Sequence, residues 1–96
     1  MNINSFKDLT NKIQKENKIE NLGQSISIVF DIERNQFDDY YEYKKLCFYE
    51  NGTIQVKHFG RNDKKNYKEM ILVFTTENKT FTQMYQFYCI LTNREF

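Results

Sequence analysis

Cys47 and His58 are the side chains in this chain best suited to nucleophilic chemistry, because a thiol beside an imidazole can be deprotonated and attack. His58 is the only histidine. Two strands folding back about the intervening Asn51-Gly52 bring the two residues diagonally across one face of a hairpin, within reach of each other. The plainer account of the pair is a packed thiol beside a rim imidazole near Lys45. Metal chemistry has less to work with. One histidine and two separated cysteines, Cys47 and Cys89, fall short of a zinc set. Asp31, Glu33, Asp38 and Asp39 offer carboxylate oxygens without the spacing or the glycine of a calcium loop, and a solvated acidic cluster accounts for them. Gly23, Gly52 and Gly60 stand alone, so no phosphate-cradling loop is present. The residues give no support for an enzyme, a metal site or a cofactor.

Charge is the more informative pattern. Lys+Arg number 14 against 13 Asp+Glu, a formal charge of +1, which excludes both a strongly basic nucleic-acid coat and an acidic mimic of nucleic acid. Along the chain the signs separate. Asp31, Glu33, Asp38, Asp39 and Glu42 come early, with only Arg34 among them. Lys57, Arg61, Lys64, Lys65 and Lys68 follow, with only Asp63 opposing. Each pole is explained adequately as a solvated loop that keeps a small protein soluble. Read functionally, Asp31, Glu33, Asp38, Asp39, Tyr40 and Glu42 form a carboxylate–tyrosine surface for a protein partner with a basic surface, such as a nucleic-acid-binding protein. The alternative is nucleic acid bound by Lys57, Phe59, Arg61, Lys64, Lys65 and Lys68, with bases stacked on Phe59 or Tyr67.

The elements that must position these residues follow from periodicity. Phe6, Leu9 and Ile13 predict an amphipathic helix over 5–17, capped by Asn4 or Ser5. Residues 24–33 alternate as a half-buried strand, with Ile26, Ile28, Phe30 and Ile32 on one side. A two-residue turn at Asn51-Gly52 sets Tyr49 against Ile54, Cys47 against Val56 and Lys45 against His58. One face then carries Tyr41, Tyr43, Cys47, Tyr49, Ile54 and Val56, the other Leu46, Phe48 and Phe59. The helix, a second copy of the chain or the partner would cover that second face. Residues 67–76 are apolar on both sides, which predicts a central strand. For 80–92 the run of Thr, Tyr, Phe and Ile favours a strand, with a helix capped by Thr80 and Gln83 as the alternative.

The expected fold is therefore a single α+β domain over 1–96, an N-terminal helix on an antiparallel meander of four to five strands, in two layers. Nine Phe and seven Tyr exclude a disordered chain. Apolar runs stop at five residues, where a membrane helix needs about 20. With no charged-then-apolar leader, a cytoplasmic protein with reduced thiols is expected. The absence of Ala and Pro and the excess of Asn, Lys and Ile follow AT-rich codons. Small frames of that kind are common in bacterial mobile elements and phages. The expected function is a non-catalytic accessory or inhibitor protein, anti-CRISPR-like in style, that occupies the surface of a macromolecular partner.

Overall fold

Strands of nine or ten residues dominate the computed structural model, which describes residues 2–35, 37 and 39–96. Helix α1 (Phe6–Gln14) leads into β1 (Glu20–Asn21), β2 (Ser25–Arg34), β3 (Tyr40–Tyr49), β4 (Ile54–Asn62) and β5 (Tyr67–Thr76), and α2 (Phe81–Thr92) follows. The sheet order is β1-β2-β3-β4-β5 with every neighbour antiparallel, the expected meander. Long strands make the molecule elongated, 45 × 24 × 20 Å.

Ser5 caps α1 by accepting from the Asp8 amide at 3.0 Å, and the regular helix ends at Gln14, earlier than the expected Asn17. There the chain turns, with the Ile13 carbonyl accepting from the Glu16 and Asn17 amides. Phe6, Leu9 and Ile13 face the core as their spacing predicts.

The segment 80–92 is a helix, not the expected strand. Thr80 and Gln83 form a reciprocal capping box, the Thr80 hydroxyl accepting at 3.0 Å and the Gln83 side chain accepting at 2.9 Å. Asn93 ends the helix in the left-handed conformation. Strand propensity loses here because Met84, Tyr85, Tyr88 and Cys89 fall on one helical face and bury it completely. The two helices lie side by side and run the same way. Phe6 meets Phe81 at one end, and at the other Tyr85 donates to Glu16 at 2.7 Å while Arg94 donates to the Glu16 carbonyl.

Three details of the sheet differ from expectation. The β3–β4 connection is a three-residue loop: Tyr49 pairs with Thr53, the Gly52 amide donates to the Tyr49 carbonyl, and of Asn51 and Gly52 only Gly52 has positive φ (97°). One extra loop residue slips the register by one, so Phe48 opposes Ile54, Leu46 opposes Val56 and Cys47 opposes Gln55. Leu46, Phe48, Ile54 and Val56 then share the face roofed by the helices, together with Ile26 and Ile28, and Phe59 moves to the other face. A second difference is a bulge in β2 between Phe30 and Glu33, with Asp31 at φ 56°, which turns Ile32 out of the expected stripe to 56% exposure. The third is β5. It lies at the sheet edge, not at its centre, and its apolar residues are exposed on both sides.

The helices roof only the half of the sheet that holds Ile26, Ile28, Leu46, Phe48, Ile54 and Val56. We refer to that side as the roofed face and to the reverse as the open face.

Candidate functional site

The observed register sorts charge across the sheet rather than along the chain. Directly opposed residues point the same way, so the pairs Tyr41–Arg61, Tyr43–Phe59, Lys45–Lys57, Arg34–Tyr41 and Arg61–Lys68 place all of these side chains on the open face. Five cations therefore surround three aromatic rings. Among the described residues the nearby acids are marginal: Glu20 on β1, opposite Ser27, and Asp63 in the β4–β5 turn, which accepts from Arg61 at 2.8 Å and from Tyr41 at 3.1 Å.

The three rings form a row. Tyr43 stacks on Phe59 at 5.1 Å and on Tyr41 at 5.9 Å. Lys45 and Lys68 lie over Phe59 at 5.3 and 5.4 Å, and Arg34 and Arg61 over Tyr41 at 5.1 and 5.9 Å. Lys57 donates to the Tyr49 hydroxyl at 3.4 Å. Ring faces are thus occupied by other rings and by cations, and Phe59 is only 8% exposed. Bases have no open platform on Phe59, and Tyr67 is on the roofed-face side, donating to Glu69 at 2.7 Å. The stacking expected of both residues is not what this surface offers. It offers ammonium and guanidinium groups around a shallow depression of about 300 Å³ bordered by Val29, Ile32, Arg34, Tyr41, Lys45 and Arg61.

Two pairs on this face set like charges directly opposite each other, Lys45 against Lys57 and Arg61 against Lys68. Such pairs oppose folding. Local conflicts of this kind concentrate where a surface is kept for a ligand.

The acidic residues of the sequence gather on the roofed-face side, beyond the helices. Glu33 opposes Glu42, and Glu69 opposes Gly60 beside them. Several of these acids are already paired: Asp31 with Lys44 at 2.8 Å, Asp39 with Lys64 at 2.8 Å, and Glu42 with His58 at 3.7 Å. The Lys44 hydrogen bond holds the Asp31 carboxyl below the usual carboxylate range. Tyr40 reaches across Gly60, where a Cβ would collide with its hydroxyl, and shares its one hydroxyl proton between Glu42 at 3.1 Å and Glu69 at 3.2 Å. Desolvation, then those two carboxylates, push its phenol up to about 12. Asp38, expected in this group, lies outside the described residues.

Of the basic set, Lys57, Phe59, Arg61 and Lys68 meet on the open face, whereas Lys64 and Lys65 sit in the turn beyond it. Arg34, Tyr41, Tyr43 and Lys45 complete the face and were legible only as alternate residues of strands whose register was unknown. The thiol–imidazole pair is dissolved by the same register. Cys47 lies on the open face and His58 opposes Lys44 on the other. Burial also raises the Cys47 thiol, which keeps it protonated and a poor nucleophile. No group of three His, Cys, Asp or Glu side chains able to hold a metal ion occurs among the described residues. Nor, among those residues, is any helix long and apolar enough to cross a membrane.

Comparison of the chain with protein-family models, curated proteins and solved structures finds no match.

Proposed function

We propose that the chain is a small non-catalytic binding protein that occupies a macromolecular partner with its open sheet face, and that the partner is a polyanion, a nucleic acid. The observation that carries this reading is the two pairs of opposed cations, Lys45–Lys57 and Arg61–Lys68, on one face. A phosphate backbone laid across the face relieves the Lys45–Lys57 repulsion and adds to the relief that Asp63 already gives Arg61 beside Lys68. Because the rings are stacked among themselves, contact is made through phosphates, and sequence preference is weak. Fluorescence anisotropy with short DNA and RNA tests it. Affinity falls steeply between low and moderate salt, and Lys45→Glu with Lys57→Glu abolishes binding. No binding at low salt rejects the reading.

A second reading has its own observation, the acid pair Glu33–Glu42 with Glu69 and Tyr40 beside it. That patch fits a protein with a basic surface, as a cytoplasmic inhibitor from a mobile element or phage would engage a host nucleic-acid-binding protein. Three of the acids, Asp31, Asp39 and Glu42, already have basic partners, which weakens their pull on another molecule. Affinity capture with the wild-type chain and with Glu33→Lys separates the two readings. Loss of a captured basic protein in the variant supports the second.

A further inference from the structure

We propose that a second copy of this chain pairs with β5 edge to edge, antiparallel and two-fold symmetric about Ile71, so that two five-stranded sheets become one. Among the described residues β5 hydrogen-bonds to β4 on one side only, leaving the backbone groups of its other side without a strand. Soluble proteins protect such an edge with short strands, inward charges, proline or bulges. The opposite edge is broken up: β1 is two polar residues long, and the part of β2 that β1 leaves unpaired carries a bulge together with Asp31, Glu33 and Arg34. β5 is ten residues long and carries Met70-Ile71-Leu72-Val73-Phe74 with Ile71 62% and Leu72 47% exposed. Its single bulge, at the unpaired Val73, leaves the stretch before it regular.

Why the occupant is the same chain follows from charge and area. The only charges in β5 are Lys68 and Glu69, both near one end. A parallel in-register partner would set Lys68 on Lys68 and Glu69 on Glu69. The antiparallel pairing about Ile71 sets both of them instead against the uncharged stretch around Val73 and Phe74, and matches Met70 with the partner's Leu72 on the open face. The five apolar residues expose on the order of 500 Å² per chain over both sheet faces, so a symmetric pair buries at most roughly 1,000 Å², which reaches the lower end of specific interfaces once Ile90 is added. Phe74 stacks on Phe87 of α2 at 5.5 Å, and Ile90, one helical turn further along and 76% exposed, extends the patch beyond the edge itself. A two-fold axis normal to the sheet keeps both open faces on the same side.

Sedimentation velocity over a range of concentration, with amide exchange on the same samples, tests the pairing. The wild type is expected at twice the 11.8 kDa of one chain, with the amides of 70–73 better protected at high concentration. Ile71→Lys and Ile71→Glu are each expected to be monomeric with an unchanged circular dichroism spectrum, and an equal mixture of the two to restore the dimer. Leu22→Lys, at an exposed apolar residue away from β5, leaves the dimer intact. A wild type that stays monomeric overturns the proposal. So does a dimer that survives Ile71→Lys, a mixture that fails to associate, or growth beyond two copies. If both Ile71 variants fail to fold, the wild-type exchange decides: protection of 70–73 independent of concentration overturns the pairing.

Discussion

Gly52 holds a position that no other residue type fits well. Its φ of 97° is strained for a residue with a Cβ, and an added Cβ would lie 3.2 Å from the Lys79 carbonyl oxygen. Gly52→Ala is expected to destabilise the protein by about 1–2 kcal/mol in urea unfolding. Tyr88 presents the opposite case. Its hydroxyl is buried without a hydrogen-bond partner among the described residues; the Asn17 side chain faces it without reaching bonding geometry. Tyr88→Phe should therefore be neutral or stabilising by up to about 1 kcal/mol, since it removes an unpaired polar atom and keeps the ring. Tyrosines also set the alkaline limit. Tyr40 is raised to about 12 by desolvation and its two carboxylates, and Tyr85 is raised by burial and by Glu16. The fold favours both protonated forms, so their contribution is complete below the unfolded value of about 10 and is lost as pH climbs from there through the raised values. Melting midpoints should decline above about pH 10, less steeply in Tyr40→Phe with Tyr85→Phe.

The elements were largely legible, their alignment less so. Phe6, Leu9 and Ile13 repeat at helical spacing and Ile26 and Ile28 alternate, so α1 and β2 follow directly from periodicity. Asn51-Gly52 announces a hairpin equally well whether the loop has two residues or three, because either can use a glycine with positive φ. The choice flips one strand against the other, and with it every statement about which side chains share a face. Nothing near the loop decides it. The long-range fit of Leu46 and Phe48 under two helices does, with Ile54 and Val56 beside them. For α2 the local signal was present in Thr80 and Gln83, and composition outweighed it wrongly. Because that capping box closes two free amides, Thr80→Ala should cost about 1 kcal/mol in chemical denaturation. The edge position of β5 was not legible at all. Apolar residues on both sides of a strand read identically whether layers of the same fold cover the two faces or leave them bare.

At the level of the whole molecule the sequence's two charged poles become two faces. Tyr41-Glu42-Tyr43-Lys44-Lys45 and Lys57-His58-Phe59-Gly60-Arg61 alternate, so strands that look mixed in charge separate it by side. A near-neutral total therefore hides a surface with a strong direction. Because Lys45 opposes Lys57, Lys57→Gln should raise the melting midpoint, and by more at low salt than at high salt. A larger effect at high salt would mean the lysine acts through packing alone.

α1 and α2 are tied by contacts that reach across nearly the full chain, such as the Ile3 amide to the Thr82 hydroxyl oxygen at 2.9 Å, 79 residues apart. A ribosome therefore delivers the whole meander before it delivers the second half of its roof. Until Met84, Tyr85 and Tyr88 emerge, the greasy underside that includes Phe48 and Ile54 is left half covered, and a chaperone that binds exposed apolar chain has its moment then.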